Sequence, residues 1–522
     1  METERTAVYQ VKVSCLRYVV PFEYSEDFDK AYRKVEMLNL WEKNRSYSDD
    51  QESDLYGYIR DEFRFAENKQ EMSGKKMGCE WLYCSDGQPV KQLLYFPDGI
   101  RIDTMELPER WDISIAEAGL RLFRNGLGLF WYELVLPEEG VDSDKLEIFQ
   151  NVVKELNRSG FVALWENTEP GGKIRPFSLG MWIQHLISFL DIQYFAERRN
   201  GYSRMMERAG NLAQNLPDKL VCEPDESSMS ERMAPDKALL FNYVVFVKND
   251  QKVSLKAKEA LVYHITNGYR ESYHFCNETA VDMMRPFEDV FWYATKEGAA
   301  YIAWADEDNE KVFTKVIPGK IRRDYFALYL KVLYQSYSLL IYAEKIQSEI
   351  SADTRSYLNE YMNQDIEKLF VEINLFLTKS MATSVSHIHN QSEFYVFLKK
   401  QLRIQEDVES VTAGLAALDT LQRKQREQEA RETRAQNEDR EKRRDEKTQA
   451  IMGLFALLGI FSAFLDGFDL VGKFSPGGEW SQLSGATLYV TILFIAIAAI
   501  ISIIATIFAV KAIIAAFKDR DE

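Results

Sequence analysis

The sequence predicts an α/β domain followed by a long helical stalk and two C-terminal transmembrane helices. Three observations lead to this fold class. Strand-like and helix-like segments alternate up to residue 319. A proline-free stretch rich in helix-forming residues follows from 391 to 447, and two uncharged apolar runs lie close to the C terminus. Together they predict a soluble part connected to two membrane helices, which are either a simple anchor or one subunit's share of an oligomeric pore.

Composition and charge exclude several classes of protein. The chain has 522 residues, enough for two to four domains. Its 64 basic and 81 acidic residues give a net charge of -17, which argues against direct nucleic-acid binding because that function needs a positive field. Five cysteines cannot all pair, and no apolar signal segment opens the chain. These features exclude a secreted disulfide scaffold and favour a reducing cytosol.

Residues 1–319 are predicted to form a cytosolic α/β ligand-sensing domain. Asn125-Gly126 lies between apolar runs, a strong signal of a β-hairpin. Both faces of Leu127–Leu136 are apolar, which predicts a central, covered strand. A helix is predicted over Ser143–Arg158, with Ser143 and Asp144 as candidate caps. Further strands are predicted at Val8–Val20, Phe161–Trp165, Leu239–Val247 and Val290–Trp304.

The helical part is predicted to comprise an antiparallel pair within residues 320–390 and a long stalk helix over residues 391–447. Five apolar stalk residues alternate at spacings of four and three, an apolar heptad seam formed by Ile404, Val408, Val411, Leu415 and Leu418. No helix breaker separates the stalk from the first apolar run, so we expect one helix from 391 to 465, about 110 Å long. The alternative is a flexible charged linker.

The apolar runs Thr448–Leu465 and Gly485–Val510 have 18 and 26 residues and predict two membrane spans. The expected boundaries are 448–466 for the first span, 467–484 for an outer loop, 485–514 for the second span and 515–522 for a tail. Basic residues are concentrated before the first run and after the second, and only Lys473 lies between them, which predicts an inner-membrane protein with both termini cytoplasmic. The alternative for each run is a buried helix of a globular domain.

One stripe of the first span is a candidate pore lining, formed by Thr448, Met452, Phe455, Gly459, Ser462 and Asp466. In a symmetric oligomer Asp466 would form a ring of negative charge that favours cations. The alternative is a helix-packing face of small residues, formed by Gly453, Ala456, Gly459 and Ala463. The residue pattern leaves both interpretations open.

The sequence lacks the usual signatures of catalysis, so no enzyme activity, catalytic residue or intrinsic cofactor is expected. It has no phosphate-binding Gly-Lys-Ser/Thr loop and no nucleophile elbow. His387 and His389 have no accompanying ligand pattern, so no metal site is expected. The candidate ligand-binding residues are two groups of cations, Lys320, Arg322 and Arg323 after Pro318-Gly319, and Arg121 and Arg124 beside the hairpin.

The order of segments resembles the CorA-like superfamily of divalent cation transporters, which are homopentamers with a funnel-shaped cytosolic part. At the outer end of the first span that family has Gly-Met-Asn, whereas this chain has Phe464-Leu465-Asp466-Gly467-Phe468-Asp469. The large N-terminal domain and the missing motif are similar to a divergent branch, the CorA-like membrane proteins that accompany type III CRISPR systems.

That resemblance implies a homopentameric channel that acts as an antiviral effector. It would be opened by a nucleotide second messenger, the conjugate of S-adenosylmethionine and AMP, bound in the cytosolic domain, and would disturb the ion balance across the lipid bilayer. One alternative is a housekeeping transporter of Mg²⁺ or another divalent cation. The other is a membrane-anchored coiled-coil interaction protein without a pore.

Overall fold

The computed structural model describes the chain in sixteen segments and, between 485 and 511, at scattered helical positions. The segments are 8–38, 40–44, 53–60, 78–85, 88–89, 92–95, 100–102, 105–107, 113–136, 140–156, 163–165, 179–195, 237–248, 254–269, 282–353 and 362–473. The chain divides into two compact units, Met1–Ala416 and Ala417–Glu522.

The first unit is built on one large sheet. Within the described residues its thirteen strands are β1 Val11–Tyr24, β2 Trp41–Lys43, β3 Gly78–Ser85, β4 Gln88–Pro89, β5 Gln92–Tyr95, β8 Ile113–Phe123, β9 Leu127–Val135, β10 Ala163–Trp165, β11 Ile192–Tyr194, β12 Leu239–Val247, β13 Met284–Phe287, β14 Val290–Thr295 and β15 Gly298–Ala305. Strands β6 Ile100–Ile102 and β7 Met105–Leu107 form a separate two-stranded sheet. The path through the sheet runs β10-β5-β8-β9-β1-β12-β15-β14-β13, with β3 also paired to β8. Among these strands only β12 and β15 pair in parallel.

Helices cover both faces of the sheet. They are α1 Phe28–Met37, α2 Gly57–Arg60, α3 Ser143–Lys154, α4 Leu179–Ile187, α5 Leu255–Asn267, α6 Phe326–Asp353, α7 Met362–Ser380, α8 His389–Gln401 and α9 Ile404–Lys473. A first core forms between one face and α1, α3, α4 and α5. A second core forms between the other face and α6, α7, α8 and the start of α9. The prediction of an α/β domain with a central β9 is therefore confirmed, because every residue from Leu127 to Leu134 is buried.

The predicted hairpin at Asn125-Gly126 connects β8 and β9. Only Gly126 has a positive φ, and its N–H donates to the carbonyl of Phe123. The turn therefore needs one left-handed residue rather than the two that an Asn-Gly dipeptide offers. Asn125 instead anchors the tip, because its side-chain amide donates to Ser338 Oγ of α6 at 2.7 Å.

The stalk is interrupted where one continuous helix was expected. Helix α8 ends at Gln401 and α9 begins at Ile404, with Arg403 at a φ of 58° between them. The break allows both Leu402 and Ile404 to enter the second core, which a straight helix could not do for two residues so close in sequence. The seam residues Val411 and Leu415 are also buried there, against the chain's own helices.

The predicted membrane architecture is wrong. Among the residues that the structure describes, no helix is both long enough and apolar enough for a membrane crossing. The fold class with two C-terminal transmembrane helices is therefore corrected, and so is the predicted inner-membrane location. The first run is the end of the 70-residue helix α9, most of whose residues before Thr448 are polar. In the second run the structure describes only scattered helical positions between 485 and 511.

Other boundaries of the predicted membrane part fall differently. Residues 467–473 of the predicted outer loop belong to α9, and residues 474–484 lie outside the described part of the chain. The predicted tail, 515–522, also lies outside it. All six predicted pore-lining residues lie on α9.

Capping of α5 gives a test of local stability. Ser254 Oγ accepts from the backbone N–H of Ala257 at 3.2 Å, which satisfies one donor at the start of the helix. We expect Ser254→Ala to lower the free energy of unfolding in urea by about 1 kcal/mol. Ser348→Ala is the matched control, because this exposed serine lies inside α6 and bonds to the carbonyl of Lys345 in its own helix. An equal loss in both variants would contradict the capping role.

Candidate ligand-binding pocket beside the sheet

A pocket of about 280 Å³ lies where strands β3, β8 and β9 meet the turns that precede α6. Its lining residues are Leu82, Tyr83, Cys84, Ala116, Glu117, Glu133, Val135 and Arg322. The volume is close to the lower end of the range for ligand pockets, about 300–1,000 Å³. Apolar side chains and backbone form much of the wall, and three charged side chains converge on it.

The two carboxylates are brought together by a β-bulge. Along β8 the side chains that enter the first core are Ile113, Ile115, Ala118 and Leu120. The inward-facing positions are two residues apart except across Ala116, where the spacing is three, so the strand contains one extra residue there. The register between β8 and β9 is irregular at this point, between Ile115 and Glu117. The extra residue moves Glu117 to the face of the second core, directly opposite Glu133. Two like charges in opposite positions destabilise a sheet unless cations compensate them.

Arg17 of β1 provides the first compensating charge. Its Nε donates to Glu133 Oε2 at 2.8 Å and its NH2 group donates to Glu117 Oε2 at 3.1 Å. Its guanidinium also lies over the rings of Trp131 and Phe326, 4.7 and 4.4 Å from their centroids. The side chain is only 3% exposed. Arg17 is therefore a fixed, fully engaged cation behind the pocket floor.

Arg322 provides the second charge from an unusual helical segment. Two π-helical turns, Val312–Val316 and Ile321–Tyr325, flank the short α-helical stretch Ile317–Lys320; we call residues 312–325 the π segment. Arg322 Nε donates to Glu133 Oε1 at 2.7 Å, and its backbone carbonyl accepts from the NH1 group of Arg17 at 2.8 Å. Wide helical turns are rare and frequently occur at functional sites.

The two carboxylates have opposite pKa shifts. Burial raises the pKa of Glu117, with Arg17 opposing that rise and Glu133 adding to it. Burial by itself would also raise the pKa of Glu133, but Arg17 and Arg322 outweigh it and hold this pKa below its ordinary value. The two arginines therefore favour the charged form of Glu133, whereas burial disfavours the charged form of Glu117.

A second polar layer supports the floor from behind. Trp131 Nε1 donates to Glu80 Oε1 at 2.9 Å, and Arg121 donates to Glu80 Oε2 at 2.9 Å. Gly119 lies opposite Trp131 in the β8–β9 register, and only a residue without a side chain leaves room for the indole. Glu80 and Gly119 therefore fix the position of the Trp131 ring, over which the Arg17 guanidinium lies.

The structure separates the five predicted ligand-binding cations. Arg322 lines the pocket, whereas Lys320 pairs with Asp54 at 2.9 Å and Arg323 pairs with Asp324 at 3.2 Å. Arg121 is buried against Glu80, and Arg124 lies 3.6 Å from Asp29 and over the ring of Phe28. The basic cluster lies within continuous helical turns rather than at a helix N-terminus, where a phosphate site was expected.

Sequence reasoning missed Arg17, Glu117 and Glu133. A signal existed, because Arg17 interrupts the apolar stretch Cys15–Phe22 and Glu133 interrupts the otherwise apolar β9, and a buried charge needs a partner. The partner could not be identified, since it depends on strand order and on the bulge. In the described residues no three His, Cys, Asp or Glu side chains are grouped in a way that could hold a metal ion.

Comparison with protein families, curated proteins and solved structures finds no match to this chain. The resemblance to CorA-like proteins therefore stays a prediction, as do the homopentamer and the second messenger. The functional argument rests on the pocket and its charges.

Proposed function

We propose that this protein is a ligand-responsive sensor whose α/β unit binds a small molecule in the pocket and thereby changes the state of the π segment. One observation carries the proposal. Glu133, in the pocket wall, is held simultaneously by Arg17 of the sheet and by Arg322 of the π segment. A ligand that contacts Glu133 or Arg322 therefore acts directly on an ion pair that joins the pocket floor to these turns.

The proposed ligand is a nucleotide second messenger, and the conjugate of S-adenosylmethionine and AMP is the first candidate. Its adenosylmethionine half carries an ammonium group and a sulfonium group, which the carboxylates of Glu117 and Glu133 would accept. The pocket is small for the whole conjugate, so we assign this half alone to it. The predicted ion channel requires membrane-crossing helices and is not part of this proposal.

The response would follow from differential affinity. A ligand shifts an equilibrium between two states only by the difference between its binding free energies for them, typically about 1–3 kcal/mol. The π-helical turns are suitable for such a shift, because their wide hydrogen-bonding pattern competes with the ordinary α-helical one. The segment leads directly into α6, which forms much of the second core.

Calorimetric titration with the S-adenosylmethionine–AMP conjugate tests this function. We expect binding to the wild-type chain, and a dissociation constant about tenfold or more higher for Glu117→Gln, because the loss of one charged hydrogen bond costs about 1.5–3 kcal/mol. The Glu117 side chain is 40% exposed, so glutamine can be solvated at this position and the variant should fold.

Lys320→Ala is the matched control, since Lys320 lies in the same segment and pairs with Asp54 away from the pocket. Unchanged affinity in Lys320→Ala is the expected result. Loss of binding in Lys320→Ala with full binding in Glu117→Gln would assign the ligand to the basic cluster instead. Absence of binding to the folded wild-type protein would reject this messenger.

A further inference from the structure

The pocket floor contains four charges that balance. Arg17 and Arg322 are positive, and Glu117 and Glu133 are negative. Arg17 is fixed by two carboxylates, one carbonyl and two aromatic rings, and it is nearly inaccessible. The side chain of Arg322 is 41% exposed, and within the described part of the chain its guanidinium has one carboxylate partner, Glu133. Of the two cations, Arg322 is the one that can leave.

The charges also decide what can replace it. Glu133 is only 2% exposed with Arg322 in place, so its charge is compensated by the two arginines and not by water. A neutral ligand in that place would leave two carboxylates with one cation, and a phosphate would add a third negative charge beside them. Removing compensation from a buried charge is costly. A cationic group restores the balance without moving Glu117, Glu133 or Arg17.

We propose that Glu117 and Glu133 form a subsite for the cationic group of a ligand, and that Arg322 is a tethered occupant which this group displaces. The subsite would take a guanidinium, ammonium or sulfonium group and would reject phosphate. This inference rests on the proposed function because it names the ligand chemistry of the same pocket. It also explains how ligand binding would affect the π segment, because the displaced residue, Arg322, belongs to the second π-helical turn.

Chemical complementation tests the subsite with two probes of the same shape. Methylguanidinium is cationic, whereas methylurea is its neutral counterpart. We expect Arg322→Ala to bind methylguanidinium roughly tenfold more tightly than the wild-type chain does. In the wild-type chain Arg322 occupies the subsite, and the apparent affinity falls in proportion to the fraction of molecules whose subsite is vacant. Methylurea should bind neither protein. Direct titration gives the affinity, and thermal denaturation should show a rise in Tm only for the variant with the cation.

Arg323→Ala is the matched control, because the neighbouring guanidinium pairs with Asp324 and not with the pocket carboxylates. It should show no gain in affinity. Adding Glu117→Gln to Arg322→Ala should weaken methylguanidinium binding. Equal binding of both probes, or an equal gain in Arg323→Ala, would overturn the proposal. Arg322→Gln serves the same measurement if the alanine variant does not fold.

The outcome can be separated from that of the proposed function. If the conjugate binds the wild-type chain but the affinity for methylguanidinium is no higher in Arg322→Ala, the proposed sensor function is supported and the cation subsite is rejected. If methylguanidinium binds Arg322→Ala more tightly than it binds the wild-type chain, but the conjugate binds neither protein, the cation subsite is supported and the proposed messenger is rejected.

Discussion

Replacing Arg17 by methionine should lower the free energy of unfolding by about 3–5 kcal/mol, because it leaves buried carboxylate charge without its main partner. Glu133 would keep only Arg322, and Glu117 would lose its bond to the guanidinium. Methionine has similar length and fills most of the same volume, so the loss would be mainly electrostatic. Urea denaturation followed by tryptophan fluorescence measures the change.

Two further variants separate charge from packing. The double replacement Arg17→Met with Glu133→Leu removes both members of the buried pair, and it should recover a large part of the lost stability. Arg124→Ala is the surface control, since its contact with Asp29 is 3.6 Å long and partly exposed, and it should cost less than about 1 kcal/mol. A double variant as unstable as Arg17→Met would show that packing around the guanidinium, not its charge, is what matters.

Gly119→Ala should produce the second large effect. A Cβ atom built on Gly119 would lie 2.5 Å from Trp131 Cε2 and Nε1, closer than real contacts allow. The indole cannot retreat easily, because it donates to Glu80 and packs against Arg17 and Phe326. We expect a cost of about 1–3 kcal/mol from overpacking. Loss of the bond to Glu80 would add about 1–3 kcal/mol, since a buried acceptor would lose a partner.

The control for Gly119→Ala is Gly319→Ala, where no atom lies within 4 Å of the position that the new methyl group would take. Alanine is a better helix former than glycine, so this change should be neutral or stabilising by up to about 1 kcal/mol. Gly119 does not have a positive φ, so its role is one of space and not of backbone conformation. Stability of Gly119→Ala within about 0.5 kcal/mol of the wild type would contradict the close packing of Trp131.

Local signals in the sequence predicted much of the α/β unit. The strand Leu239–Val247 has the predicted bounds, and the hairpin at Asn125-Gly126 is present. Prediction was less accurate where the chain changes direction within one segment. Val290–Trp304, expected as one strand, is two antiparallel strands that turn between Thr295 and Gly298. The N-cap of α3 is Asp142, one residue before the predicted caps, because its carboxylate reaches the N–H of Lys145.

The apolar runs illustrate a different limit. Length and hydropathy of a segment describe what it could do alone, and they predicted two membrane spans. In the structure the first run continues a long, mostly polar helix, and the described residues contain no membrane-crossing helix. The apolar heptad seam did not by itself identify its packing partners. In the structure Val411 and Leu415 are buried in the second core.

The sequence by itself determined the alternating strands and helices, the hairpin and the continuation of the stalk helix into the first apolar run, because these depend on residues close together in the chain. The tertiary structure alone decided the site. Glu117 and Glu133 lie on one hairpin, but Arg17 and Arg322 come from distant segments, and the meeting of the four depends on strand order, a one-residue bulge and a π-helical turn. A buried charge is tolerated only with a partner, and which partner it finds is a property of the folded chain.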